Sequence, residues 1–444
     1  MIPTNDTSAS TGTSASIGTP ASTGTPASIG TPASIGTPAS TGTAPYGSHD
    51  ELLSAFAGHV HPGKVRVFEQ LGLDLIVGER EGARFRDALT GRWLWNCHSN
   101  GGVFNLGHRN PAVITALRDA LDHLDIGNHH LVSGWRARAA ERLAASTNGR
   151  LPGVVFTVSG SESIDVAIKV ARGSTRRRGI VSTEGAYHGA TGLAVAAGGD
   201  AATRERYLVD LPEFIHVPYN DLEAMRAAVD GDTAAVVLEA IPATLGFPPP
   251  APGYLRGVEA ICRAAGALLV VDEVQTGLGR TGTFWYSDQE SIRPDAIIVG
   301  KGLSGGIYPV SATLLADEPF TWFTEEFGSH PSSFGGSELG CVVATTVCDI
   351  VAGDGFLDHV RALAERFAAG FVGAPFGLRQ RGLTMAFETG REGGAFDAWI
   401  ELFHAGVFAF PAAYDTSVLQ FKPPLILHDD EADQVIDRVR EALG

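Results

Sequence analysis

Ala267-Leu-Leu-Val-Val-Asp-Glu-Val-Gln-Thr-Gly-Leu-Gly-Arg-Thr-Gly282 sets an apolar run directly before an acid and a glycine-rich turn. Aliphatic residues without polar alternation predict a strand buried on both faces. Asp272 stands at its carboxyl end. A second run, Ala296-Ile-Ile-Val299, leads through Gly300 to Lys301-Gly-Leu-Ser-Gly-Gly306, with Lys301 twenty-nine residues beyond Asp272. A lysine and an acid at the ends of buried strands have a defined joint chemistry. The amine can condense with a cofactor aldehyde, and the carboxylate can keep a pyridine nitrogen protonated so that the ring accepts electrons. This combination points to pyridoxal 5'-phosphate as the cofactor. The chain has four lysines, Lys64, Lys169, Lys301 and Lys422, so few residues compete with Lys301 for the role.

Outward from this block, short apolar runs at 154–158, 179–182, 234–239, 267–271 and 296–299 alternate with helical stretches. The alternation predicts an α/β fold with a large, mostly parallel sheet covered on both faces. Before it, residues 46–98 read as an N-terminal segment that joins a smaller domain, with a hairpin of strands 73–77 and 83–87 around a turn at 78–82. Asn110-Pro begins an amphipathic helix with proline in its first turn. The large domain is expected over 99–335. Residues 336–444 read as a smaller α+β domain, with helices at 339–351 and 357–371, short strands and a final helix at 430–443.

At 444 residues the chain is expected to hold more than one core. Its net charge of −17 argues against a nucleic-acid partner, which needs a basic face. There is no apolar run of membrane-spanning length, and no basic-then-apolar leader opens the chain. None of the four cysteines, Cys97, Cys262, Cys341 and Cys348, falls in a metal-ligand spacing, so no metal site is expected and a reducing, cytoplasmic setting fits. Residues 1–45 stand apart. From Thr7 to Gly42 a hexapeptide, Thr-Pro/Ser-Ala-Ser-Thr/Ile-Gly, repeats six times without a charged or aromatic residue. Such a segment buries too little apolar surface to offset its ordering entropy and reads as disordered; a β-helix of hexapeptide rungs is the rival reading, with too few coils for a core.

Ligands of open α/β sheets sit beyond the carboxyl ends of the strands. At one such end, Ser159-Gly-Ser-Glu-Ser163 precedes a helix. Gly160 allows close backbone approach, and Ser161 with the free N–H groups suits a phosphate; the same turn also reads as a plain helix cap. Tyr187, in Ala186-Tyr-His-Gly189, can stack on a ring or pack in its loop. Glu239 ends the next run and can orient neighbouring polar groups. After Asp272, Val274 can press on a ring face and Gln275 can hydrogen-bond a phenolic oxygen.

The block 271–282, Lys301-Gly-Leu-Ser-Gly-Gly-Ile-Tyr-Pro309, Asn105-Leu-Gly-His108, Tyr187-His-Gly189, Ser333-Phe-Gly-Gly336 and Pro423-Pro-Leu425 together resemble the class III (ornithine/ω-type) pyridoxal-phosphate aminotransferases. The resemblance runs in order from about residue 65 to the C-terminus and omits the repeats. It implies a fold-type I enzyme and a homodimer with shared active sites. Lys301 would then carry the cofactor and shuttle the proton, with Asp272 as pyridinium partner, Gln275 on the phenolate side and Tyr187 as ring stacker. Gly160 and Ser161 would hold the phosphate, and Ser333 would reach it from the partner subunit. Trp95, His98 and Asn100 would line the substrate side; packing and hairpin structure are the alternative for each. Racemases, decarboxylases and phospho-lyases use the same scaffold and form the alternative reaction class.

Two departures from the family pattern match each other. Ornithine-type members carry Glu-Pro-x-Gln-Gly-Glu where this chain has Glu239-Ala-Ile-Pro-Ala-Thr244, so Thr244 replaces the second glutamate. Many members carry an arginine where Leu419-Gln-Phe-Lys-Pro-Pro-Leu425 places Gln420. Glutamine does not reproduce bidentate carboxylate recognition. The expected substrates are therefore a small-molecule amine and a carbonyl compound, bound without the usual glutamate–arginine gate; a carbonyl-bearing peptide is one acceptor that fits. On a strand, Lys422 would face the same side as Gln420 and could supply a replacement charge; a plain surface lysine is the alternative.

Overall fold

The computed structural model describes residues 46–444, apart from 74, 392 and 393; the repeats at 1–45 lie outside the described residues. At its centre is a sheet of seven strands: β1 Gly153–Thr157, β2 Gly179–Thr183, β3 Phe214–Val217, β4 Thr233–Glu239, β5 Leu268–Asp272, β6 Ala296–Val299 and β7 Ser311–Leu315. Across the sheet the order is β1-β7-β6-β5-β4-β2-β3. β7 is antiparallel to β1 and β6, and the pairs from β6 across to β3 are parallel. Register places Glu239 opposite Asp272 and Asp272 opposite Ile298, so the polar strand ends lie side by side.

Both faces are covered. Val237, Val270 and Ile298 pack with Ile164, Ile168 and Ala171 of the helix Gly160–Thr175. Their strand neighbours Val236, Leu238 and Leu269 face the other way, onto Leu255, Val258 and Cys262 of Tyr254–Ala265. The apolar runs lack alternation for this reason: every second residue meets a different helix layer. Two strands are absent from the sequence-based expectation. β3 is short, at the sheet edge, and leaves Ile215 exposed. β7 is Ser-Ala-Thr-Leu-Leu, whose buried Thr313 donates its hydroxyl to the Ser163 carbonyl at 2.8 Å. Polar residues break the apolar pattern there while remaining satisfied inside.

The helix Glu338–Val351, expected to fall with the C-terminal part, packs on the central sheet. Cys341, Ala344 and Cys348 meet Ile297, Val299 and Leu314. It is apolar on most sides, so it is buried all round. A second core joins Phe85, Leu94 and Trp95 to Phe367, Phe387, Trp399 and Phe421. The strand Trp93–Asn96 continues this union by pairing in parallel with Val407–Phe408. The hairpin differs from expectation: its strands are Val77–Glu81 and Arg84–Asp87, and the turn is Gly82 and Ala83. Gly82 takes φ +53, which suits glycine in a tight turn. Gly78 belongs to the strand because a Cβ there would come 2.8 Å from Ala88 Cα.

Candidate active site

The carboxyl ends of β4, β5 and β6 each present an ionisable residue. At β5, Asp272 is 6% exposed. Its Oδ1 accepts the Val274 N–H at 3.0 Å, and its Oδ2 lies 2.9 Å from His188 Nδ1. His188 is itself buried, with Ser182 Oγ 3.3 Å from its other ring nitrogen. At β4, Glu239 accepts the Tyr187 N–H at 2.9 Å on one oxygen and the Ala243 N–H at 3.1 Å on the other. Burial first, then the Asp272 charge, raises the Glu239 pKa above the ordinary glutamate value. Both oxygens nonetheless accept N–H bonds, which is the geometry of an ionised carboxylate.

Beyond β6, Lys301 opens a short 3-10 turn, Lys301–Ser304, with φ +42, a left-handed conformation that costs a non-glycine residue about 1 kcal/mol. Among the described residues its Nζ has no hydrogen-bond or ion-pair partner. Burial depresses its pKa against the opposing pull of Asp272 and Glu239. Gly101 sits against this side chain: at φ +69, a Cβ on it would lie 3.0 Å from Lys301 Cε and 3.6 Å from Gln275 Oε1. Gly101 therefore lets the Lys301 side chain and Gln275 pack against its backbone.

The helix Gly160–Thr175 begins at the end of β1, with Ser159 capping it through a bond to the Glu162 N–H at 3.2 Å. A Cβ on Gly160 would approach Val274 Cγ2 to 3.2 Å, so the helix start and Val274 bound one space. Ser161 Oγ accepts the Ala190 and Thr191 N–H groups, each at 2.9 Å, and folds the loop after Tyr187 onto the helix start. Tyr187 is 47% exposed, free to cover a ligand. Ser333 is exposed, with no hydrogen-bond partner among the described residues. Its neighbour Ser332 donates to Glu162 Oε1 at 2.9 Å.

The gate positions adjoin one another. Gln420 Nε2 donates to the Ala243 carbonyl at 3.0 Å, while the Thr244 hydroxyl donates to the Gly185 carbonyl. Gln420 and Lys422 share a side, as expected, joined by a bond of 2.5 Å from Lys422 Nζ to Gln420 Oε1. Phe421 turns the other way into the aromatic core. Lys422 Nζ also donates to Gln275 Oε1 at 3.1 Å. His98 is close to this group: burial, then the Lys422 and Lys301 charges, lowers its pKa well below the ordinary value. Trp95 belongs elsewhere. It is 4% exposed, packed in the small core under the Arg84 guanidinium, 5.0 Å from its ring, because its strand directs it away from the sheet ends. Asn100 is exposed at φ +49.

Three contributions are not foreseen from sequence. His188 was legible only as the middle of Tyr187-His-Gly189. Glu273, buried, accepts from the Tyr286 N–H and from the N–H and hydroxyl of Ser287, so half of the Asp-Glu pair is structural. Arg280 is fully buried and donates to Asn105 Oδ1 at 2.6 Å and to the Pro423 carbonyl at 2.6 Å, tying three motif segments together.

The donor set fits a phosphorylated pyridine aldehyde: a partly buried amine with no partner among the described residues, a pinned carboxylate on the adjacent strand end, and a helix start beside a Cβ-free position. The fold and this site define a fold-type I enzyme. Residues 69–443 match the family "Aminotransferase class-III". An uncharacterized aminotransferase from Archaeoglobus fulgidus is 45% identical over 402 residues, covering 88% of this chain and 94% of the relative. Among solved structures, ornithine aminotransferase from Toxoplasma gondii superposes with a TM-score of 0.81 at 24% identity, covering 90% of this chain and 96% of that one. A transaminase from the marine bacterium Virgibacillus gives 0.82 at 23%, covering 88% and 98%. The chain belongs to the class III aminotransferases, enzymes that use pyridoxal 5'-phosphate. These findings support amino transfer and not the racemase, decarboxylase or phospho-lyase alternative.

Proposed function

We propose that Lys301 carries the cofactor and that Asp272, held by His188 and the Val274 N–H, pairs with its ring nitrogen. The observation that carries this reading is the Lys301 amine, without a partner among the described residues, at the strand end next to the pinned Asp272. The bound cofactor supplies an aldehyde that takes up the amino group and a ring that accepts an electron pair. Lys301 Nζ, its pKa lowered by burial, would accept the proton from substrate Cα and return it during transfer. Gly160 and the helix start hold the phosphate, with Ser161 shaping the loop that carries Tyr187 over the ring. Val274 covers the opposite face. Gln275, its oxygen occupied by Lys422, directs its amide N–H toward the phenolic oxygen.

Substrates enter without a glutamate–arginine gate. Thr244 and Gln420 are spent on the Gly185 and Ala243 carbonyls, and neither offers a guanidinium. The active unit is a homodimer. Exposed Leu131, Val132, Phe327 and Phe334 support it, and Arg136 binds the Leu131 and Gly336 carbonyls at 2.8 and 2.7 Å, bringing these segments together around Ser333. Ser333 then serves the neighbouring phosphate. The four buried free thiols support a cytoplasmic location. A half-reaction screen tests the function: the cofactor-loaded enzyme is mixed with panels of amines and amino acids, and loss of the visible cofactor band is followed. The acceptor panel includes carbonyl-bearing peptides. Preference for ordinary α-amino acids in both half-reactions contradicts the open-gate reading.

A further inference from the structure

Lys422 is a buried amine with no ion-pair partner among the described residues: it is 1% exposed, and no carboxylate there comes within ion-pair distance of its Nζ. Its partners are the carbonyl oxygens of Gln420 and Gln275, at 2.5 and 3.1 Å, and the ring of Phe247, whose centroid is 4.9 Å away. Each of these presents partial negative charge and stabilises an ammonium. Phe247 is held over Lys422 at φ +57, in a left-handed conformation that costs a non-glycine residue energy and that accumulates at ligand sites. Two of the three ammonium N–H groups are used, and one remains.

Gln275 links Lys422 to the Lys301 side chain. Gln275 Oε1, which accepts from Lys422, is the atom that a Cβ on Gly101 would approach to 3.6 Å, and the same Cβ would lie 3.0 Å from Lys301 Cε. Lys301, Gly101, Gln275 and Lys422 thus form one contiguous group. Burial, with the nearby Lys301 and Arg280 charges, pushes the Lys422 pKa well below the usual lysine range against the opposing pull of Glu239. A protein seldom keeps a buried cation among other cations unless an anion joins it.

We propose that Lys422 is the substrate-anion site of this enzyme, binding a carboxylate that the substrate carries in addition to its amino group. This rests on the aminotransferase reading above and deepens it. Lys422 replaces a gated guanidinium with a fixed ammonium, so the favoured donors are amino acids whose carboxylate spans from Lys301 to Lys422.

The test uses the full-length holoenzyme. The kcat/KM for the donor half-reaction is compared within pairs of equal chain length: β-alanine with propylamine, 4-aminobutyrate with butylamine, 5-aminovalerate with pentylamine. Wild type is expected to prefer the acid in at least one pair by roughly 10- to 100-fold, the worth of one charge-assisted hydrogen bond. Lys422→Met should bring that ratio near unity, and Lys422→Arg should retain a preference. The ratio is read because loss of the Gln275 contact would lower both rates together. Lys422→Gln serves where the methionine variant fails to fold. A wild-type ratio near unity in every pair, or a ratio unchanged in the uncharged variants, overturns the proposal. Calorimetric binding of valerate gives an arm independent of turnover: binding lost on removing the Lys422 charge supports the site, and binding retained refutes it. An enzyme that binds valerate through Lys422 yet converts no amine would sink the aminotransferase reading and leave the anion site standing.

Discussion

His188→Leu isolates the contact that holds Asp272 in place. Asp272 is buried and has two protein donors, the Val274 N–H at 3.0 Å on Oδ1 and His188 Nδ1 at 2.9 Å on Oδ2. Leucine fills most of the imidazole volume but donates nothing, so Oδ2 loses its protein partner inside the fold. A hydrogen bond to a charged group is worth about 1.5–3 kcal/mol. A loss of that size predicts a fall in cofactor affinity or donor half-reaction rate of roughly 10- to 150-fold. Three readouts separate positioning from simple packing: the cofactor dissociation constant, the position of the visible cofactor band, and the division of the loss between kcat and KM. His188→Asn keeps a side-chain N–H and should recover part of the loss, with the band restored toward wild type. A folded His188→Leu enzyme with wild-type cofactor affinity, band and half-reaction rate would refute the role given to the Asp272–His188 pair.

Lys301→Ala should abolish turnover with little change in thermal stability, because it removes an amine that has no partner among the described residues; measurable amino transfer in the purified variant would count against Lys301 as the cofactor lysine. Gly101→Ala should destabilise the fold by about 1–2 kcal/mol through its left-handed backbone and slow cofactor loading, because its Cβ would press on Lys301 Cε at 3.0 Å; unchanged melting and loading would contradict the close approach. The cofactor-free chain should become more stable as pH rises toward 10.5. Burial depresses Lys301 and Lys422 below that ordinary lysine value, so between their folded values and 10.5 the unfolded chain binds more protons, and stability is lost as pH falls through the folded values. Urea unfolding from about pH 7 to 10 measures the slope, and Lys422→Met should flatten it; an unaltered slope rules Lys422 out as its source.

Much of the site was legible because its residues occupy strand ends, and strand ends can be read from where an apolar run stops. Asp272, Glu239 and Lys301 all follow such runs, and parallel neighbours place those ends together. The block 271–282 with a downstream lysine also carries chemistry in its order alone. Trp95 shows the opposite case. It lies in a motif-bearing stretch, but pairing with Val407 buries it in the small core, and no local signal announces a partner more than three hundred residues away. The strand Ser311–Leu315 was hidden because threonine and serine interrupt its apolar run, and their burial depends on an acceptor in another element.

The linear order of residues by itself determined the cofactor chemistry, the parallel sheet and the loss of the gate pair, since each rests on residue type and spacing. Only the tertiary structure decided what those residues touch. It put His188 on Asp272, set Gly101 against Lys301, and enclosed Lys422 between two glutamine oxygens and a phenyl ring, with no acid in ion-pair distance among the described residues. Charge balance inside a protein depends on distance and burial, and neither is a property of one residue or of its neighbours along the chain.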